Sequence, residues 1–237
     1  EKAIESKRKY WKKKKRKNRK KRYDLSRVWM ALGTLTVILL VIFGVAQHQK
    51  TQNAAQQMSG LSAIDGSRPD LDVELLTVNP YSRPGTALTQ VNGIVIHYTA
   101  NPGATAIANR NYFENLKDTH TTKASAHFIV GLEGEIVQCI PTAEIAYASN
   151  DRNSDTLSIE CCYEKDDGSF NRETYESVIR LTAWLCNKFG LTSEQVIRHY
   201  DVTGKNCPKY FVEHESAWED FHDDLAAYIE KNGVDKE

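Results

Sequence analysis

Gly93-Ile94-Val95-Ile96-His97-Tyr98-Thr99-Ala100-Asn101-Pro102-Gly103 is the stretch that decides the fold class. A short β-branched run opened by glycine reads as a buried strand, because branched side chains suit a pleated surface and the run leaves no polar face. It ends on a histidine, and Asn101-Pro102-Gly103 then turns the chain. Apolar residues from Ala106 to Leu116 recur at helical spacing. Strand, turn and helix in that order point to a sheet with helices packed against it.

The downstream sequence extends the pattern. Ala126 to Val130 and Glu135 to Ile140 flank Gly131-Leu132-Glu133-Gly134, which predicts a hairpin. Thr156 to Tyr163 alternates, with Leu157, Ile159 and Cys161 on one side and Ser158, Glu160 and Cys162 on the other. Glu173 to Phe189 carries an apolar helical face closed by Gly190, Val196 to His199 is another short strand, and Ser216 to Lys231 a terminal helix. Strands and helices intermingle, so the expected class is α/β, a mixed central β-sheet covered by helices, over residues 91–237.

Upstream the character changes twice. Residues 47–90 are polar, with Pro69, Pro80 and Pro84, and read as a stalk or linker. Val28 to Ala46 is a run of 19 uncharged residues, roughly 28 Å long as a helix and close to the thickness of a bilayer core. It exceeds the h-region of a cleaved signal peptide, and Gly44-Val45-Ala46 only approximates a cleavage site. The expectation is an uncleaved transmembrane anchor. Before it, residues 1–27 hold 15 basic and 3 acidic side chains, which leaves 16 basic and 28 acidic for residues 47–237. The formal net charge of zero thus conceals +12 followed by −12. By the positive-inside rule residues 1–27 form a cytoplasmic tail and the acidic part lies outside the cell. A nucleic-acid role is not expected of that acidic part, because phosphate contacts need clustered cations.

No CxxC pair and no HExxH helix occurs, which removes the zinc-finger and HExxH-protease frameworks. His199 and Cys207 are eight residues apart across a loop containing Gly204. With His97 they would make a His₂Cys set with a fourth position left for water, the layout of a catalytic zinc site. Spacing alone leaves the plainer reading open, in which His97 is a hydrogen-bonded structural residue and Cys207 a small core filler.

Four motifs in order, Ile94 to Ala100, Ser125 to Val130, Ser158-Ile159-Glu160 and His199 to Pro208, resemble those of zinc-dependent N-acetylmuramoyl-L-alanine amidases, the group that includes phage amidase-type lysozymes and peptidoglycan recognition proteins. The resemblance covers about residues 90–230. It implies Zn²⁺ held by His97, His199 and Cys207, Glu160 as the acid/base carboxylate, and Lys205 beside the metal. The implied substrate is peptidoglycan, cut between N-acetylmuramic acid and the L-alanine of the stem peptide. Some relatives carry a tyrosine where this chain has Ala126, which moves proton transfer to Glu160, and many carry Trp-His where it has Tyr147-Ala148. Tyr147 remains a candidate to line the substrate groove. His127 is either a groove contact or a structural histidine of the sheet. Asp201 reads as a residue that holds the loop rather than a ligand. Cys139, Cys161, Cys162 and Cys186 read as reduced core thiols, and His48, His120, His214 and His222 as surface residues. The leading expectation is a bacterial cell-wall amidase anchored in the cell membrane; its rival is a non-catalytic peptidoglycan-binding module on the same fold.

Overall fold

The structure, a computed structural model, describes residues 2–19 and 68–232. The expected anchor at 28–46, residues 47–67 of the expected stalk and His48 lie outside the described residues. Among those described, no helix is long and apolar enough to cross a membrane. The chain divides into two units, Glu1–Ala55 and Gln56–Glu237. In the first, the basic segment forms helix α1 (Lys2–Arg19), a run of good helix formers without Gly or Pro.

The second unit is built on six strands: β1 (Asp72–Val73), β2 (Gly93–Tyr98), β3 (Phe128–Val130), β4 (Ile136–Gln138), β5 (Thr156–Cys161) and β6 (Val196–Arg198). Their order across the sheet is β1-β4-β3-β5-β2-β6. Only β3 and β4 pair antiparallel; the other neighbours are parallel, so the sheet is mixed as expected. The antiparallel pair is the expected hairpin, turned through Gly134 at φ +82°. A Cβ there would stand 2.9 Å from the Glu173 carbonyl oxygen, so glycine is required both by the turn and by the helix above it.

Alternation along the strands makes two cores. Ile94, Ile96, Leu157 and Ile159 face one side and meet Val178, Leu181 and Leu185 of α3 (Arg172–Phe189) and Phe221 and Leu225 of α6 (Glu215–Asn232). Ile129 and Val137 face the other side and meet Phe113 and Leu116 of α2 (Ala106–Thr119). Two short helices, α4 (His199–Thr203) and α5 (Lys209–Glu213), join β6 to α6. α2 starts where the Thr105 side chain accepts from the Ala108 N–H, and α3 where Asn171 accepts from Thr174, each supplying an N-cap. Gly190 ends α3 in the left-handed conformation.

The folded unit begins well before Val91, which corrects the expected boundary. Residues 68–90 are part of it: β1 is the edge strand beside β4, Leu76 is fully buried, and Arg83 makes a two-pronged ion pair with Glu144 at 2.7 and 2.8 Å. The anchoring apolar residues Leu71, Leu76 and Leu88 are too sparse to show a periodicity.

Candidate metal centre

β2 and β5 run side by side with His97 opposite Glu160. Residues in register on parallel neighbours project on the same face, here the face that carries α2. Since β2 also pairs β6 through Ile96 and Arg198, the chain leaves β6 next to His97, and His199 opens α4 there. α4 closes on Gly204 at φ +76°, and the returning loop delivers Cys207, whose carbonyl accepts from the Tyr200 N–H at 2.9 Å. One ring nitrogen of each imidazole and the sulfur lie within 4.8 Å of one another, and all three residues are buried. Three residues spread over 110 positions are thus gathered into one set.

The orientation of the donors is defined. Nδ1 of His97 is 3.8 Å from Sγ of Cys207, while its Nε2 is 3.1 Å from the Ser149 hydroxyl. Nε2 of His199 is 3.0 Å from Oδ1 of Asn150, and its Nδ1 is buried with no partner. An orphaned buried nitrogen beside a second imidazole and a thiol costs free energy that a bound cation would relieve. The donor set therefore fits a zinc ion.

Burial lowers the pKa of His97 well below its ordinary value, and the neighbouring charges of His199 and Lys205 push the same way. Burial and Lys205 lower His199. Both rings are therefore neutral at pH 7 and keep a lone pair. Burial, with help from Glu160, pushes the Cys207 thiol up to about 12, so cation binding there must displace a proton. Burial raises Glu160 to about 8, with Lys205 pulling it partly back. Its Oε2 is buried and unpartnered.

These residues line a cleft of about 380 Å³, together with Lys205, Tyr147, Lys123, Phe113 and Asn150. Tyr147 lines the cleft, and Lys123 lies over its ring at 5.4 Å. Ala126 is fully buried and offers no side chain to the cleft. His127 is not at the cleft. It is fully buried, its Nδ1 accepting from the Ser158 N–H at 3.0 Å and its Nε2 donating to the Glu144 carbonyl at 2.9 Å. Its assignment as a substrate contact is corrected: both ring nitrogens are used inside the sheet. Asp201 holds the loop, receiving the Arg198 guanidinium at 2.9 Å and its backbone N–H at 2.8 Å. All five cysteines are buried and unbridged. His120 and His214 are exposed, whereas His222 is half-buried against Trp218. Ser149 and Asn150 were not anticipated, since a Ser-Asn pair in a polar loop has no distinguishing pattern.

A mixed, mostly parallel α/β sheet with two histidines and a cysteine gathered beside a buried carboxyl defines the class as α/β domains with a candidate metal site. A family model described as N-acetylmuramoyl-L-alanine amidase matches residues 87–210, and the chain belongs to that family. It is 41% identical over 147 residues to a probable N-acetylmuramoyl-L-alanine amidase of Bacillus licheniformis, covering 57% of this chain and 41% of that protein. It is 39% identical over 182 residues to the N-acetylmuramoyl-L-alanine amidase BlyA of Bacillus subtilis strain 168, covering 68% and 48%. The chain thus spans somewhat less than half the length of these curated relatives. Among solved structures, the catalytic domain of XlyA superposes with a TM-score of 0.57 at 26% identity, over 66% of this chain and 99% of that one.

Proposed function

We propose that the chain is a zinc-dependent peptidoglycan hydrolase that cleaves the amide between N-acetylmuramic acid and the L-alanine of the stem peptide. The observation that carries this is the buried His97, His199 and Cys207 set with the unpartnered carboxyl of Glu160 lining the same cleft. Family membership supports the bond and the polymer. Bound by these three residues, zinc supplies Lewis-acid polarisation and an activated water at neutral pH. Glu160, in its carboxylate form, takes a proton from the attacking water and hands it to the departing amine; burial holds its pKa up while Lys205 draws it back toward the carboxylate. Lys205, exposed at the cleft, stabilises the oxyanion that develops on the scissile carbonyl. Tyr147 contributes an apolar wall for the substrate.

The uncharged block at 28–46 after a strongly basic segment supports a single-pass anchor with residues 1–27 in the cytoplasm and the hydrolase domain facing the wall of a bacterium. The acidic domain is not read as a nucleic-acid binder.

Digestion of purified muropeptides by the full chain, with mass spectrometry of the products, tests the reading. The parent is expected to release stem peptides with free L-alanine amino termini. Glu160→Gln is expected to keep its zinc and lose turnover by about 10²-fold or more, and Cys207→Ser to lose zinc on dialysis. Full turnover in Glu160→Gln removes the proton-transfer role. A zinc-replete parent that binds peptidoglycan and releases no new termini supports the rival, a recognition module on the same fold.

A further inference from the structure

One imidazole comes from strand β2 and the other from the first residue of helix α4, yet a ring nitrogen of each is held by consecutive residues of one loop. Ser149 Oγ is 3.1 Å from Nε2 of His97, and Asn150 Oδ1 is 3.0 Å from Nε2 of His199. A carbonyl oxygen can only accept, so Asn150 fixes the proton of His199 on Nε2 and leaves Nδ1 bare. That bare nitrogen is the buried one without a partner. Ser149 can do the same for His97, whose Nδ1 faces the sulfur.

The loop is built to hold this arrangement. Asn153 Oδ1 accepts from the N–H groups of both Ala148 and Ser149, at 2.9 and 2.6 Å. Asn150 opens a 3-10 turn, Asn150–Ser154, in the left-handed region at φ 51°, where Asn is among the few side chains tolerated. Arg152 then pairs with Asp155 at 2.8 Å, and its carbonyl accepts from the Thr156 hydroxyl at the start of β5. Ser149 is nearly fully buried. The loop is tied to the strand that carries Glu160.

We propose that Ser149 and Asn150 are positioning residues of the metal centre: one loop sets the tautomer and orientation of both imidazole donors before the ion arrives. The inference rests on the metal reading above and goes beyond it by assigning the preorganisation to two residues outside the His97, His199 and Cys207 set. Hydrogen bonds of this kind orient donors and raise their basicity, and losing one costs about 10–100-fold in metal affinity.

The test is zinc affinity of the full chain, measured by competition with a chromophoric chelator. Cobalt(II) ligand-field spectra and the melting temperature of the metal-free protein are read in parallel. Asn150→Gly removes the acceptor while keeping a residue suited to φ 51°, Asn150→Asp keeps the acceptor, and Ser149→Ala removes the hydroxyl. Ser149→Ala and Asn150→Gly are expected to raise the zinc Kd about 10–100-fold and to weaken the tetrahedral cobalt bands, with metal-free melting unchanged. Asn150→Asp is expected to bind zinc as tightly as the parent. Unchanged affinity in both deletion variants overturns the proposal. So does a loss matched by an equal loss in metal-free stability, or an Asn150→Asp as weak as Asn150→Gly. If the parent itself binds no zinc, the metal reading fails and this inference with it; a parent that binds while the deletion variants bind equally removes the inference alone.

Discussion

His127 shows how one buried imidazole differs from two others a strand away. Its ring accepts at Nδ1 and donates at Nε2 within the protein, so it is satisfied only when neutral. Burial lowers its pKa to about 4. The unfolded chain, with a histidine near 6.5, takes up a proton that the folded chain refuses between those values. Stability is therefore whole above pH 6.5 and falls as the pH drops toward 4, by about 3 kcal/mol for this group. His127→Gln is expected to flatten the dependence of melting temperature on pH over that interval; an equally steep slope would assign it to other groups. That His97, His199, Cys207 and Glu160 share one cleft was legible in the sequence because histidine, cysteine and glutamate in a recognisable motif are chemically conspicuous. The hydrogen bonds that orient them were not, because serine and asparagine in a polar loop look alike whether or not they hold an imidazole.

Among elements, the connection from β6 through α4 and α5 to α6 depends on Arg198, the residue that precedes the second donor. Its guanidinium is buried, pairs with Asp201 at 2.9 Å and Glu215 at 2.7 Å, donates to the Phe211 carbonyl at 3.0 Å, and lies 5.3 Å from the rings of both Tyr200 and Trp218. One planar cation thus ties three helices together. Arg198→Ala leaves two acidic side chains and a buried carbonyl without their partner, and is expected to cost roughly 3 kcal/mol, read as a lower melting temperature and weaker zinc retention. Arg198→Lys is expected to recover little, since an ammonium cannot reproduce the forked geometry. The strands around His97, the hairpin at Gly131 to Gly134 and helices α3 and α6 were readable from periodicity and turn residues. β1, the turn at Asn150–Ser154 and α5 were not: they are two to five residues long, polar or mixed, and specified by tertiary hydrogen bonds rather than by local pattern.

For the molecule as a whole, the sequence separates +12 from −12 across an uncharged block of 19 residues. The proposed topology predicts that the full chain sediments with membranes and stays there after alkaline carbonate extraction. A chain lacking residues 1–46 is expected in the supernatant, and external protease should remove the domain from intact protoplasts while sparing residues 1–27. Recovery of the full chain in the soluble fraction would remove the anchor.

The donor set has a temporal side. His97 precedes Cys207 by 110 positions, and between them lie β3, β4, β5 and β6. Between His97 and His199 the growing polypeptide owns a single imidazole of the set, and it then gains the other two members almost together. Under the proposed activity an unfinished or truncated copy has no grip on its ion. A copy that has not yet reached Cys207, under that activity, cannot cut the wall from inside the cell that is making it.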